Sequence, residues 1–169
     1  NYKMLKLNDW RCIFFQILSV LAIIQNKYLA FRHNDMKANN ILVHKIDIDQ
    51  VNKNFLYKIN NQLYIVQNIG FQLKLWDFDF ACVPGVVENT KVYQEWTKKI
   101  NVTSKKNRYY DVHYFFCTLI FKGFLPELMT DEVVPKEVKD FIEYVLPEEY
   151  RPGKSKKVLF LLFIKRPLT

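Results

Sequence analysis

Two short acidic stretches carry residue types and spacing suited to phosphoryl transfer onto an alcohol. The first is Phe31-Arg32-His33-Asn34-Asp35-Met36-Lys37-Ala38-Asn39-Asn40-Ile41-Leu42-Val43, which contains His-x-Asp-x-x-x-x-Asn. The second is Leu75-Trp76-Asp77-Phe78-Asp79-Phe80-Ala81. Such a transfer needs one carboxylate to accept the hydroxyl proton. It also needs an amide oxygen and a second carboxylate to hold Mg²⁺ on nucleotide phosphates. A metal-hydrolase reading of His33, Asp35 and Asp77 is the chemical alternative, but it leaves Lys37 and Asn40 without a task. Turn chemistry accounts for Asn34, Asp35, Asn39 and Asn40 singly. It does not account for two such motifs recurring with strands and a long helix between and before them.

The elements that must position these residues can be read from the pattern. Asn8 or Asp9 is suited to cap a helix over about 10–27, whose apolar residues Ile13, Phe14, Ile17, Leu18, Val20, Leu21 and Ile24 cover more than one face. Ile41-Leu42-Val43 is a short apolar strand, with Leu73-Lys74-Leu75-Trp76 as its expected partner. Between them, Gln62-Leu63-Tyr64-Ile65-Val66 is strand-like, and Asn60-Asn61 and Asn68-Ile69-Gly70 are turn signals. Residues 81–106 read as irregular, with a turn at Pro84-Gly85. Tyr109 to Leu119 is an apolar helix broken by Asp111 and His113, with a stop expected at Lys122-Gly123. Pro135 opens an amphipathic helix with Val138, Phe141, Ile142 and Val145 on one face. The tail from Val158 to Thr169 is apolar and then basic.

Taken together, these motifs resemble the catalytic and metal loops of the protein kinase-like superfamily, and specifically its C-terminal lobe. The resemblance spans about residues 8–150 and is strongest at 31–43, 73–81 and 109–119. It implies an α+β, mainly helical fold with short β-hairpins, a partial domain over 1–169, and an inserted β-ribbon at 44–72 where the family has a tight turn. The ribbon is expected to be an exposed, removable extension.

The resemblance also implies roles. Asp35 matches the residue that orients the acceptor hydroxyl and takes its proton, and Lys37 matches the lysine on the transferring phosphate. Asn40 and Asp77 match the Mg²⁺ ligands, and His33 matches the structural histidine of the loop. Asp111 matches an early helix aspartate that accepts backbone N–H bonds from the catalytic loop. ATP and Mg²⁺ are the implied cofactors, and a protein bearing Ser or Thr is the implied acceptor.

Three departures stand beside this likeness. Asn34 replaces an arginine that many protein kinases use to grip an activation-loop phosphate. Asp79 stands where the family's Asp-Phe-Gly has glycine, which removes the residue that tolerates unusual backbone angles. The glycine-rich loop and strand lysine of an N-lobe are not found in the sequence, so a missing N-lobe is an expected partner. No Ala-Pro-Glu element is found either, with Glu88 and Glu95 the acids in that region. His-Asn-Asp followed by Asp-Phe-Asp is also similar to choline kinases and aminoglycoside phosphotransferases. Lys37 and the Asp111 helix favour protein kinases, and the segment Tyr109 to Phe116 is similar to serine/threonine kinases of large DNA viruses. That lineage implies the cytoplasm, either the host's or the virion.

Composition bounds the remaining choices. The chain has 169 residues, half of them hydrophobic and 16% aromatic, which suits one domain with a real core. Its net charge of +8 suits an anionic partner, though nucleic acid is not the expected one. Cys12, Cys82 and Cys117 are far apart, with no zinc spacing or disulfide framework, which fits a reducing interior. The apolar runs at 12–24 and 158–164 read as too short to span a bilayer. Asn1-Tyr2-Lys3 lacks a signal-peptide layout, so the chain is expected to begin within a longer one. Three functions remain in view: a protein kinase, a small-molecule kinase, and a non-catalytic lobe that uses its basic 98–108 surface for binding.

Overall fold

The computed structural model describes residues 1–50, 53–120 and 124–151, so the helix stop at Lys122-Gly123 and the tail from Val158 lie outside the described residues. The architecture is α+β, with four α-helices and two separate two-stranded antiparallel sheets among the described residues.

Helix α1 (Leu7–Lys27) is the spine. It starts earlier than its expected caps. Asp9 acts from inside the first turn, its Oδ2 accepting the Lys6 N–H at 2.8 Å. There a carboxylate satisfies an otherwise orphan donor and complements the helix dipole. At 21 residues α1 is long and apolar enough to cross a bilayer by length and composition, contrary to the shorter run read from sequence. In this fold it is a core helix. Trp10, Phe14, Ile17 and Leu21 are buried against Phe116, Leu128, Ile142 and Leu146. Phe14 stacks on Phe141 at 5.5 Å and meets Phe116 edge-on at 5.2 Å, geometries that add to the area term.

Strands β1 (Ile41–Lys45) and β4 (Phe71–Leu75) pair antiparallel, with Ile41 opposite Leu75 and Val43 opposite Leu73. Trp76 lies just past the strand rather than within it. Gln16, one of two polar breaks in the α1 apolar run, fastens this ribbon to the spine, its Oε1 accepting the Leu73 N–H at 2.8 Å. Between them, β2 (Phe55–Ile59) and β3 (Gln62–Val66) form a hairpin closed by Asn60 and Asn61, both at positive φ. Two left-handed residues in a two-residue loop match the right-handed strand twist, and asparagine tolerates that region better than most residues.

The hairpin is not a free extension. One face rests on α1, where Phe15 meets the rings of Tyr57 at 5.3 Å and Tyr64 at 5.4 Å, while Leu56, Leu63 and Ile65 face outward.

The 81–106 stretch is more ordered than its composition suggests. A 3-10 turn (Thr90–Tyr93) leads into a short helix, α2 (Glu95–Lys99). The buried Thr97 hydroxyl donates back to Lys91 O at 2.6 Å, and Val92, Val102 and Cys82 form a second small core. Helices α3 (Tyr110–Leu119) and α4 (Lys136–Val145) complete the main core, with Pro135 at the start of α4 as expected.

Candidate active site

The loop after α1 turns on a left-handed residue. Asn34 sits at φ 66°, held by its own side chain, whose Nδ2 donates to Phe80 O at 2.9 Å. Beneath it, the fully buried Asp111 carboxylate accepts the His33 N–H at 2.8 Å and the Asn34 N–H at 3.0 Å. Burial pushes the Asp111 carboxyl up. The two N–H groups and the nearby Arg32 guanidinium pull in the opposite direction.

His33 is fully enclosed as well. Its Nε2 lies 3.0 Å from Trp76 O, and a carbonyl can only accept, so Nε2 carries the proton. Its ring also contacts Phe78 at 4.9 Å. The histidine thus ties the first acidic stretch to the second.

Three side chains converge on Asp35. Lys37 Nζ is 2.8 Å from its Oδ2, Asn40 Nδ2 is 2.9 Å from the same oxygen, and Tyr114 OH lies 3.5 Å from Oδ1. Asn40 Nδ2 also donates to Asp35 O at 2.8 Å. Both acceptors require the nitrogen to face Asp35, which fixes the amide orientation and leaves Asn40 Oδ1 without a donor among the described residues. Tyr114 is pushed up to about 12, first by burial and then by the Asp35 charge beside it.

The ribbon register carries Asp77 to this loop. Trp76 N–H donates to Asn40 O at 2.9 Å, extending the β1–β4 pairing by one step. Asp77 follows at once, exposed and itself at φ 58°. The left-handed residue of this stretch is therefore Asp77, and not the Asp79 that replaces glycine. The Asp77 carboxylate has one long backbone contact, from Asp79 N–H at 3.4 Å, which leaves most of its lone pairs open. Asp79 instead pairs with Lys91. Among the described residues no three His, Cys, Asp or Glu side chains gather into a metal cage. The oxygen donors present, one amide and exposed carboxylate, suit a cation that keeps water and takes phosphate oxygens.

Sequence reasoning missed Arg32, Thr103 and Tyr114. Arg32 is 3% exposed, stacked on the Tyr110 ring at 3.6 Å, and desolvation holds its guanidinium below the usual range. Its Nη1 donates to Thr103 Oγ1 at 3.1 Å and Lys105 O at 3.2 Å, and Asn34 Oδ1 receives the Thr103 N–H at 3.4 Å. The 103–105 backbone is thereby fastened to the Asp35 loop. The signal for Tyr114 was present in sequence: it lies three residues after Asp111 on α3, hence on the same helix face.

The Poxvirus serine/threonine protein kinase family model matches residues 5–151. Two proteins of Acanthamoeba polyphaga mimivirus, each named "putative serine/threonine-protein kinase", are also similar. One is 50% identical over 157 residues, covering 92% of this chain and 33% of its own length. The other is 30% identical over 130 residues, covering 72% of this chain and again 33% of its own length. The chain thus spans about a third of the length of the curated relatives it matches. With the family match running from the start of α1 past α4, the chain belongs to the poxvirus serine/threonine protein kinase family of viral kinase-like proteins.

Proposed function

We propose that these residues are the C-terminal lobe of a protein kinase and transfer the γ-phosphoryl group of ATP to Ser or Thr hydroxyls. The observation that carries this reading is the division of labour around Asp35. Lys37 and Asn40 hold its carboxylate from one side, while the Asn40 Oδ1 and the Asp77 carboxylate are left open.

In this reading Asp35 orients the acceptor hydroxyl and takes its proton as the oxygen–phosphorus bond forms and ADP departs. Lys37, whose ammonium pairs with Asp35 at 2.8 Å, offsets charge on the phosphoryl oxygens. Asn40 and Asp77 would hold Mg²⁺, which when bound neutralises phosphate charge. His33 and Asp111 keep the loop in register. The family match favours a protein acceptor over an amino alcohol or aminoglycoside. A separate N-lobe would cover the nucleotide, the 44–72 segment is an insertion within the lobe, and the cytoplasm, host or virion, is the proposed place of action.

The test is Asp35→Asn in the whole protein. Transfer to a generic protein substrate should fall by about three or more orders of magnitude with folding retained. A purified variant with near-normal kcat would overturn the assignment. The chain of 169 residues alone should turn over near background, because a cover over the phosphates is not among its described elements.

A further inference from the structure

Resting on that kinase reading, we infer that the acceptor protein is acidic around its phosphorylated residue and is held by a cationic strip at 98–108. Residues 98–108 contain Lys98, Lys99, Lys105, Lys106 and Arg108 and no Asp or Glu. Their side chains are not equally committed. Lys98 pairs with Glu95 at 2.7 Å and Arg108 bonds Asn26 at 3.1 Å. Lys99, Lys105 and Lys106 are exposed, and among the described residues their ammonium groups meet no carboxylate.

Two acids of the preceding segment are already engaged. Asp79 pairs with Lys91, and Glu88 accepts the Gly85 N–H at 2.7 Å and bonds the Tyr93 hydroxyl. Lys99, Lys105 and Lys106 thus remain positive charges that no ion pair among the described residues offsets.

What ties this charge to catalysis is Arg32. Its guanidinium is buried and spends its Nη1 on Thr103 Oγ1 and Lys105 O, so it acts as a clamp and adds no surface charge. Asn34, one residue before Asp35, takes the Thr103 N–H. The Lys105 backbone is thus fastened, through Arg32, to the segment that leads into the loop that would receive the acceptor hydroxyl. A partner engaging it must bring its acids close to the reacting serine or threonine, which fits a flanking-sequence preference better than a remote tether. On the kinase reading the occupant is a protein and not a nucleic acid, because the loop fastened to this segment would handle a protein hydroxyl.

The experiment has a binding arm and a transfer arm. In the first, fluorescein-labelled serine peptides flanked by Asp and Glu, or by Lys, are titrated into the 169-residue chain, alongside a single-stranded oligonucleotide of equal charge. The acidic peptide should bind with a strong salt dependence and the lysine peptide should not. Lys105→Glu/Lys106→Glu should weaken the acidic peptide by about tenfold or more and reverse the preference. These side chains are exposed, so the double variant should fold, which circular dichroism checks. Equal binding of the two peptides, no change in the double variant, or tighter binding of the oligonucleotide than of the acidic peptide would each overturn the inference.

In the second arm the whole protein carries the same reversal, which should raise KM for the acidic peptide and lower it for the lysine peptide. If the wild-type whole protein phosphorylates neither peptide, the kinase reading fails, while the binding arm still decides the strip. If it phosphorylates both equally well, the kinase reading stands and the inference fails.

Discussion

Replacing Asp111 by asparagine probes the frame of the loop directly. The carboxylate is fully buried and accepts two backbone N–H groups, from His33 at 2.8 Å and Asn34 at 3.0 Å. Asparagine fits the space but offers one acceptor oxygen, so its Nδ2 must face an N–H donor. One bond to a charged acceptor is lost, worth about 1.5–3 kcal/mol, and a buried donor is orphaned. Removing the charge also relieves the desolvation that pushes this carboxyl up, which offsets part of the loss. Arg32 loses a charge that favours its cationic form.

The net expectation is a loss of about 2–3 kcal/mol from a total of roughly 5–15. For a chain of this size that lowers Tm by about 4–12 °C. Alanine removes both acceptors and should cost more, about 3–6 kcal/mol. Asn34 at φ 66° adds a local signature, because its left-handed backbone carries a cost, smaller for asparagine than for most residues, that the Asp111 bond helps to offset. Urea unfolding followed by circular dichroism gives the stability, and amide exchange at His33 and Asn34 reports the loop. An asparagine variant within about 0.5 kcal/mol of wild type, with both amides still protected, would refute the reasoning.

Asp77→Ala should abolish Mg²⁺-dependent nucleotide binding in the whole protein while leaving the helical core folded, because Asp77 is exposed and lies outside that core; unchanged affinity with and without Mg²⁺ would count against the metal assignment. Replacing 46–70 by a short glycine-containing turn should leave the Trp10–Phe116–Ile142 core folded yet lower stability by about 1–3 kcal/mol, since Phe15 loses Tyr57 and Tyr64. Unfolding of the domain, or no loss at all, would each contradict that packing. Burial holds His113 below 6.5, so the unfolded chain takes up a proton that the folded chain resists, and stability should fall as pH drops below 6.5. His113→Gln should flatten that slope in urea titrations at stepped pH.

Periodicity and turn chemistry were enough to locate α1, α3 and α4, the strand segments of β1 and β4 and the Asn60-Asn61 turn, because each depends on neighbours in sequence. The α1 start was misplaced because Asp9 is a good capping residue at two different positions, and only the path of residues 1–6 decides between them. Order in 81–106 was hidden for a related reason. Its small core joins Cys82, Val92 and Val102, residues too far apart for any window to see.

The site shows the same division between local and long-range causes. Asp35, Lys37 and Asn40 lie within six residues, so their convergence could be anticipated from spacing, and Asp77 was anticipated because a strand pairing brings it there. Arg32 was passed over because arginine beside a histidine has no local meaning. Its role appears only when Thr103 and Lys105 return across more than seventy residues of chain to accept from it. Asp79 shows the opposite error. The missing glycine pointed to strain at position 79, yet the left-handed turn sits at Asp77, a residue type whose short polar side chain tolerates that region. The carboxylate expected to meet the metal is therefore also the residue that bends the backbone, so substitutions at 77 change loop geometry and ligand together. Asp77→Asn, which keeps the turn preference and loses the charge, separates the two effects where alanine cannot.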